Sequence, residues 1–182
     1  MSEYARDAEL QPRGVAGEAL AFGSVDPARF RDVAGTFATG VTVITARTSE
    51  GLFGCTANAV TSLSLDPPLM LVCLDRRTNT HPRLLESRAF GINIIEVAPG
   101  SEELCRLFAG KSEDKFAGLD YRDGVTGVPI LAAAFSWLEC ELDRTYDGGD
   151  HTIFVGRVVA AERRDGTPIL FYQGRFLSLA DD

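Results

Sequence analysis

From Val41 onward the chain is dominated by short runs that read as β-strands, with little helix between them. "VTVITAR" (41–47) alternates β-branched residues with smaller ones. "TSEG" turns, and "LFGCTANAV" (52–60) returns. "PPLMLVCL" (67–74) leads through prolines into an unbroken apolar run, the pattern of a buried strand, and "AFGINII" (89–95) is another. After "GVPIL" come "FSWLECELDRTYD", "HTIFVGRVVAAERR" and "RFLSL", set apart by the turn residues "GGD" and "DGTP". Many strands with few intervening helices exclude a doubly wound α/β sheet. They predict a mainly β fold, a barrel or sandwich with short capping helices.

The caps are legible too. Asp26 is a good N-cap and Pro27 fits the first helical position. Phe30, Val33, Ala34 and Phe37 recur as one apolar face, with Gly40 as the expected stop. "THPRLLES" and "SEELCRLFAG" predict two more helices, the second with Glu102 and Glu103 in its first turn, where the helix dipole favours them. Pro12, Gly14, Gly17 and Gly23 break up the start of the chain. The expected organisation is an N-terminal arm over residues 1–25 and one domain over residues 26–182, a length sufficient for a real core.

Charge and cysteine content narrow the function classes. A formal net charge of −8 disfavours nucleic acid and anionic membrane surfaces as partners. No apolar run approaches bilayer length. "MSEYARDAEL" has early acidic residues and no apolar h-region, so a cytoplasmic location is expected. Cys55, Cys73, Cys105 and Cys140 form no C-x-x-C pair and the two histidines lie far apart, so no metal site is predicted and reduced thiols are expected. No G-x-G-x-x-G follows a strand, and no P-loop is present.

Four clusters could carry chemistry. "CTANAVTSLSLDPPL" (55–69) is dense in short polar side chains: Thr56, Asn58, Thr61, Ser62 and Ser64. It either turns a polar strand face to water or forms a rim of backbone and amide groups against a flat heteroaromatic ligand. "CLDRRTNTHP" (73–82) brings Arg76 and Arg77 beside Thr78 and Thr80, a solvated loop or a phosphate cradle backed by a helix start. His81 falls here as a local cap or a neighbour of that loop. "FAGKSEDKF" (108–116) offers Lys111 and Lys115 as exposed cations for a second anionic group and Phe116 as a lid. "DGGDHTIFVGRV" (147–158) places His151 at a strand mouth after Gly148 and Gly149, which allow close backbone approach, with Asp150 able to orient the ring.

Taken in order, "FATGVTVITA", "GCTANAVTSLSLDPPLMLVCLDRRTNTH", "FGINII", "FAGKSEDKFAGLDY", "GVPIL", "GDHTIFVGRV" and "PILFYQGRF" resemble the short-chain flavin reductases, reductase components of two-component flavin-dependent monooxygenases. The resemblance covers roughly residues 26–179. It implies a flavin-binding split β-barrel built as a homodimer. It also implies reduction of free FAD or FMN by NADH, with NADPH possible, and release of reduced flavin to a separate monooxygenase. By the same resemblance, Thr56, Ala57, Asn58, Ala59 and Val60 line the isoalloxazine ring, and Ser62 lies near the ribityl and phosphate region. Cys73, Leu74, Asp75, Arg76, Thr78 and Thr80 follow the flavin tail, with Arg76, Thr78 and Thr80 as phosphate candidates. Phe90 and Phe116 lie near the cofactor edges. His151 meets the nicotinamide, and Tyr172 and Arg175 lie close to the same pocket or the dimer seam. A non-catalytic flavin-binding protein of this fold is the alternative. It would need no nicotinamide contact, and His151 in its motif argues against it. A related class acting on pyridoxine phosphate would need basic residues around a second phosphate site, which Arg76 and Arg77 do not establish.

Overall fold

The computed structural model describes residues 25–112 and 114–179, so all of the expected arm but Val25 lies outside the described residues. In chain order the elements are α1 (Pro27–Ala34), β1 (Thr39–Gly40), β2 (Thr42–Thr48), β3 (Gly51–Ala57), β4 (Val60–Leu65) and β5 (Pro68–Asp75). Then come α2 (Thr80–Ser87), β6 (Ala89–Ile95), α3 (Ser101–Ala109), β7 (Tyr121–Asp123) and β8 (Pro129–Leu131). The long β9 (Ala134–Gly148) and β10 (His151–Arg163) follow, then β11 (Leu170–Tyr172) and β12 (Arg175–Leu177).

The mainly β expectation holds. Seven strands form one sheet in the order β3-β2-β6-β9-β10-β5-β4, and every pairing in it is antiparallel. The two edge strands, β3 and β4, are consecutive in the chain and separated only by Asn58 and Ala59. The sheet must therefore curl until its edges meet at that corner, yet no ladder joins them. One core lies on one face, with Ile44, Val72, Leu84, Phe90, Cys140 and Phe154 at its centre. A second, with Val41, Val43, Cys105, Phe108 and Phe116, lies under α3. Each fully buried large side chain contributes about 1.5–3 kcal/mol relative to exposure. Gly156 lets β10 cross tightly over the first core: a Cβ there would stand 2.4 Å from Phe90 Cζ and 2.6 Å from Cys140 Cβ.

Four details differ from the sequence reading. Asp26 does cap α1, its Oδ1 accepting from the Ala28 and Arg29 amides, but the helix ends at Ala34 with Gly35 as C-cap, not at Gly40. Among the described residues its apolar face is left uncovered: Phe30, Val33 and Phe37 are 65%, 61% and 78% exposed. The run 52–60 splits into β3 and the start of β4, because the chain turns the corner at Asn58–Ala59. β5 is buried only at Val72 and Leu74, since one of its neighbours, β4, is a largely exposed edge. All four cysteines are free, as expected.

Candidate functional site

An open sheet edge organises the site. In the seven-stranded sheet β3 is bonded to β2 alone. Lys115 Nζ donates to the Gly54 carbonyl at 3.1 Å, so that carbonyl points away from β2. By the alternation of antiparallel ladders, the backbone groups of Leu52 and Thr56 point the same way. Outside this edge runs a groove of about 410 Å³, flanked by Glu50, Phe53, Gly54, Thr80, Arg83 and Lys115.

Lys115 is half-buried, not exposed as expected. Its ammonium also donates to the Phe108 carbonyl at 2.8 Å, and burial holds its pKa below the ordinary lysine value. It has no carboxylate partner among the described residues. Arg83 is different. It is ion-paired to Glu50 and, at 3.0 Å, to Glu86, and its guanidinium lies over the Phe53 ring at 4.8 Å. Thr56 Oγ1 donates to the Cys105 carbonyl at 2.6 Å, tying β3 to α3. Asn58 is exposed at the corner, its Nδ2 donating to Thr39 Oγ1 at 3.2 Å.

At the far end of β5 the register pairs Asp75 with His151. His151 Nδ1 lies 2.7 Å from Asp150 Oδ1, the pairing anticipated from sequence. A carboxylate only accepts, so Nδ1–H donates and Nε2 is the ring nitrogen left for a ligand. The bond to His151 holds Asp150 below the ordinary carboxylate pKa. Gly149, at φ +80°, makes the turn that presents the ring. Behind it, His81 Nε2 lies 2.8 Å from Thr152 Oγ1, and Arg76 Nε donates to the same hydroxyl at 3.3 Å. His81 is thus a neighbour of the loop, one of the two roles expected. Burial, with Arg76 adding to it, depresses its pKa.

The structure engages several of the sequence-predicted residues in contacts within the chain. Neither expected phosphate arginine is free: Arg76 pairs with Asp147 at 2.9 Å and Arg77 with Asp75 at 2.7 Å, which drives Asp75 well below the usual carboxylate range. Thr78 Oγ1 donates back to the Asp75 carbonyl, and Thr80 is buried with its hydroxyl toward the Cys55 thiol. Phe90 has no exposed surface, and Phe116 stacks edge-on against Phe108 in the second core, so neither ring lies open as a cofactor edge or lid. Ala57 and Leu74 are buried as well. Ala59 accepts from the Cys73 amide at 2.9 Å, and Val60 and Ser62 continue along β4. Tyr172 and Arg175 pair across the β11–β12 hairpin, whose Phe171 faces Thr39 and hence the Asn58 corner. The sequence reading missed Glu50, Phe53, Gly54 and Arg83. Their only signal was position on a strand whose edge status is a property of the whole sheet.

Residues 34–180 match the flavin reductase like domain. The chain belongs to this family. Among its relatives is an NADH-dependent FAD reductase of Streptomyces globisporus, 42% identical, covering 86% of this chain and 88% of that protein. Another is a flavin-dependent monooxygenase reductase subunit of Rhodococcus jostii, 36% identical, covering 90% of this chain and 84% of that one. A solved NADH:FAD oxidoreductase of S. globisporus, in complex with NAD and FAD fragments, superposes with a TM-score of 0.81 at 42% identity, covering 88% of this chain and 99% of that one.

Proposed function

We propose that this chain is an NADH-dependent flavin reductase that reduces free FAD or FMN and passes the reduced flavin to a separate monooxygenase. The observation that carries this is one short segment with two ends. Asp75 sits beside His151 in the β5–β10 ladder, and four residues later Asn79 and Thr80 line the groove along β3. A nicotinamide at His151 and a flavin along β3 would therefore share one surface.

The residues present fit those groups. The outward backbone of Leu52, Gly54 and Thr56 and the Asn58 amide would hold the polar edge of a flavin ring, and Lys115 answers its phosphate. Flavin accepts and reduced nicotinamide donates the hydride, so the protein supplies position and electrostatics. Asp150 fixes the His151 tautomer, and in the neutral ring Nε2 accepts from the carboxamide of the nicotinamide. His151 orients the donor and carries no proton. With a flavin bound, edge amides of β3 would be placed to offset negative charge on its ring. The groove is open to solvent along its length, which suits a flavin that leaves after each turnover.

The family's split-barrel description fits a sheet curled to a corner but not bonded shut. A homodimer is part of this reading. Phe30, Val33 and Phe37 on and after α1 and Leu65 on the β4 edge form exposed apolar surface that a second copy would cover, Leu65 being 94% exposed. A cytoplasmic location suits reduced thiols and a soluble electron donor.

Steady-state oxidation of NADH and NADPH with FAD, FMN and riboflavin, each titrated, is the test. His151→Ala should raise KM for NADH and lower kcat, with little loss of flavin binding. Kinetics for NADH that match the wild type would remove His151 from the site, and an enzyme that leaves NADH unconsumed with every flavin would end the functional reading.

A further inference from the structure

The hairpin that carries His151 has little of its own to hold it still. β5 ends at Asp75, the register partner of His151, so Gly149 and Asp150 reach past the last rung of that ladder. Gly148 and Gly149 add backbone freedom to the turn. Among the described residues the His151 ring is hydrogen-bonded only to Asp150, its neighbour in the same turn. A ring held in this way moves with its turn.

Arg76 ties that turn down from outside. Its amide donates to the Asp150 carbonyl at 3.1 Å. Its guanidinium donates from Nε to Thr152 Oγ1 at 3.3 Å and from Nη2 to Asp147 Oδ1 at 2.9 Å. The same Asp147 oxygen accepts from the Gly149 amide at 2.9 Å. Arg76 thus grips residues on both sides of His151. In the register, Thr152 pairs with Leu74 and Asp147, whereas His151 pairs with Asp75 and Gly148. By strand alternation the guanidinium works on the sheet face opposite the His151 ring, bracing the hairpin from behind. The anchor is firm, because Thr152 is buried and its hydroxyl also meets His81 Nε2 of α2 at 2.8 Å. Reaching two acceptors at once needs the rigid fork of an arginine, which a lysine lacks.

We propose that Arg76 is the positioning residue for His151: it locks the 147–152 hairpin so that the ring meets the nicotinamide in one orientation, and it touches neither substrate. This rests on the flavin reductase reading above. It gives Arg76 a task other than the phosphate contact expected from sequence.

The untagged wild type, Arg76→Ala, Arg76→Lys, Thr152→Val, His151→Ala and the Arg76→Ala/His151→Ala double variant are compared in NADH kinetics with FMN as acceptor. Arg76→Ala should lower kcat/KM for NADH about tenfold, within the roughly 10²-fold that a misplacement of about 1 Å can cost. Arg76→Lys keeps the charge but not the fork and should recover little of the loss. Thr152→Val, which keeps the volume but removes the shared hydroxyl, should move kcat/KM in the same direction. In the double variant the Arg76 substitution should add nothing to the loss from His151→Ala, because the brace acts only through that ring. Kd for FMN and for riboflavin, read by flavin fluorescence, should stay at the wild-type values. A further readout requires no turnover. The chain has two histidines, so 1H–13C spectra of the free protein show two imidazole signals, and His151→Ala assigns them. Arg76→Ala should shift and broaden the His151 signal. Losses that add in the double variant would overturn the proposal. So would a Kd for FMN raised relative to riboflavin in Arg76→Ala, which would return this arginine to a phosphate. A His151 signal that responds to Arg76→Ala in a protein that oxidises no NADH would keep the brace and sink the functional reading.

Discussion

Glu139 offers the sharpest test of the packing on which the β7–β8 end of the fold depends. It lies on β9 with no exposed surface, and its carboxylate serves donors only. Oε1 accepts from the Val125 amide at 3.1 Å, and Oε2 accepts from the Thr126 amide and hydroxyl, both at 2.9 Å. Glu139→Gln keeps the shape but has one acceptor end. The best orientation gives the amide oxygen to Thr126 and turns the NH2 onto the Val125 N–H, donor against donor. One charge-assisted bond, worth roughly 1.5–3 kcal/mol, is lost, and two others fall to the neutral range of about 0.5–1.5 kcal/mol. Relief of carboxylate desolvation offsets part of this. The net expectation is a loss of about 3 kcal/mol. For a chain of this size that lowers Tm by roughly 6–12 °C. Urea unfolding at pH 7 with an unchanged m-value is the measurement. NADH kinetics of the folded variant at low temperature should match wild type, because Glu139 clamps the β7–β8 turn, not the groove. A loss under about 0.5 kcal/mol would refute the reasoning, since it would mean that the three donors find water or other acceptors.

Other expectations follow from the same geometry. The folded pKa of His81 lies below its free value near 6.5, so its contribution to stability is present above that pH and lost as pH falls through the folded pKa. Tm should drop between pH 7 and 5 and drop less in His81→Gln; equal slopes would show that burial of His81 costs nothing. Burial pushes Cys55 and Cys105 up to about 11 and Cys140 up to about 12, while Cys73 is partly exposed. A disulfide reagent at pH 8 should titrate one thiol quickly in the native protein and four in denaturant, and bound FAD should slow the fast one. Two or more fast native thiols would contradict the burial. If the proposed homodimer forms through α1, Phe30→Asp combined with Phe37→Asp should lower the sedimentation coefficient from that of a dimer to that of a monomer, and an unchanged coefficient would refute that interface. Gly156→Ala should cost about 1–3 kcal/mol by overpacking Phe90, read as a Tm shift without a change in flavin preference.

The strands were legible because their signal is local. "AFGINII" and "THPRLLES" fall at the residues of β6 and α2, and His151 opens β10 as its turn residues suggested. The His151–Asp150 pair was legible for the same reason, being adjacent in sequence. What local pattern could not carry is charge bookkeeping between distant segments. Arg76 looks free in "CLDRRTNTHP" and meets Asp147 of β9 only when β10 pairs with both β5 and β9. Arg83 looks like a solvent-facing helix residue until β3 sets Phe53 beneath it and the β2–β3 turn supplies Glu50. Phe90 and Phe116 have sequence contexts that suit a cofactor edge equally well, and only the curl of the sheet decides that they point inward.

The open edge of β3 is the feature on which the proposed function turns. An unpaired strand edge invites pairing with other chains, and proteins blunt such edges with lysine, covering helices or loops. Here α2, the Ser112–Lys115 loop and the Lys115 ammonium on the Gly54 carbonyl all do this to β3. In the function proposed above the same groups would make the edge a ligand bed: a lysine that guards a carbonyl in the free protein would also meet a phosphate. Burial depresses the pKa of Lys115, so its charged form is costly in the free protein and an arriving anion relieves that cost. Flavin binding then draws on an interaction the fold already holds part-formed. Because Lys115 has its two carbonyls to return to, release leaves no stranded cation. A flavin that must bind, accept a hydride and depart requires that symmetry. It follows that Lys115→Met should speed flavin release less than it slows association. Stopped-flow association and dissociation would show the change mainly in the on-rate, and a change confined to the off-rate would argue that Lys115 merely tightens a site already formed without it.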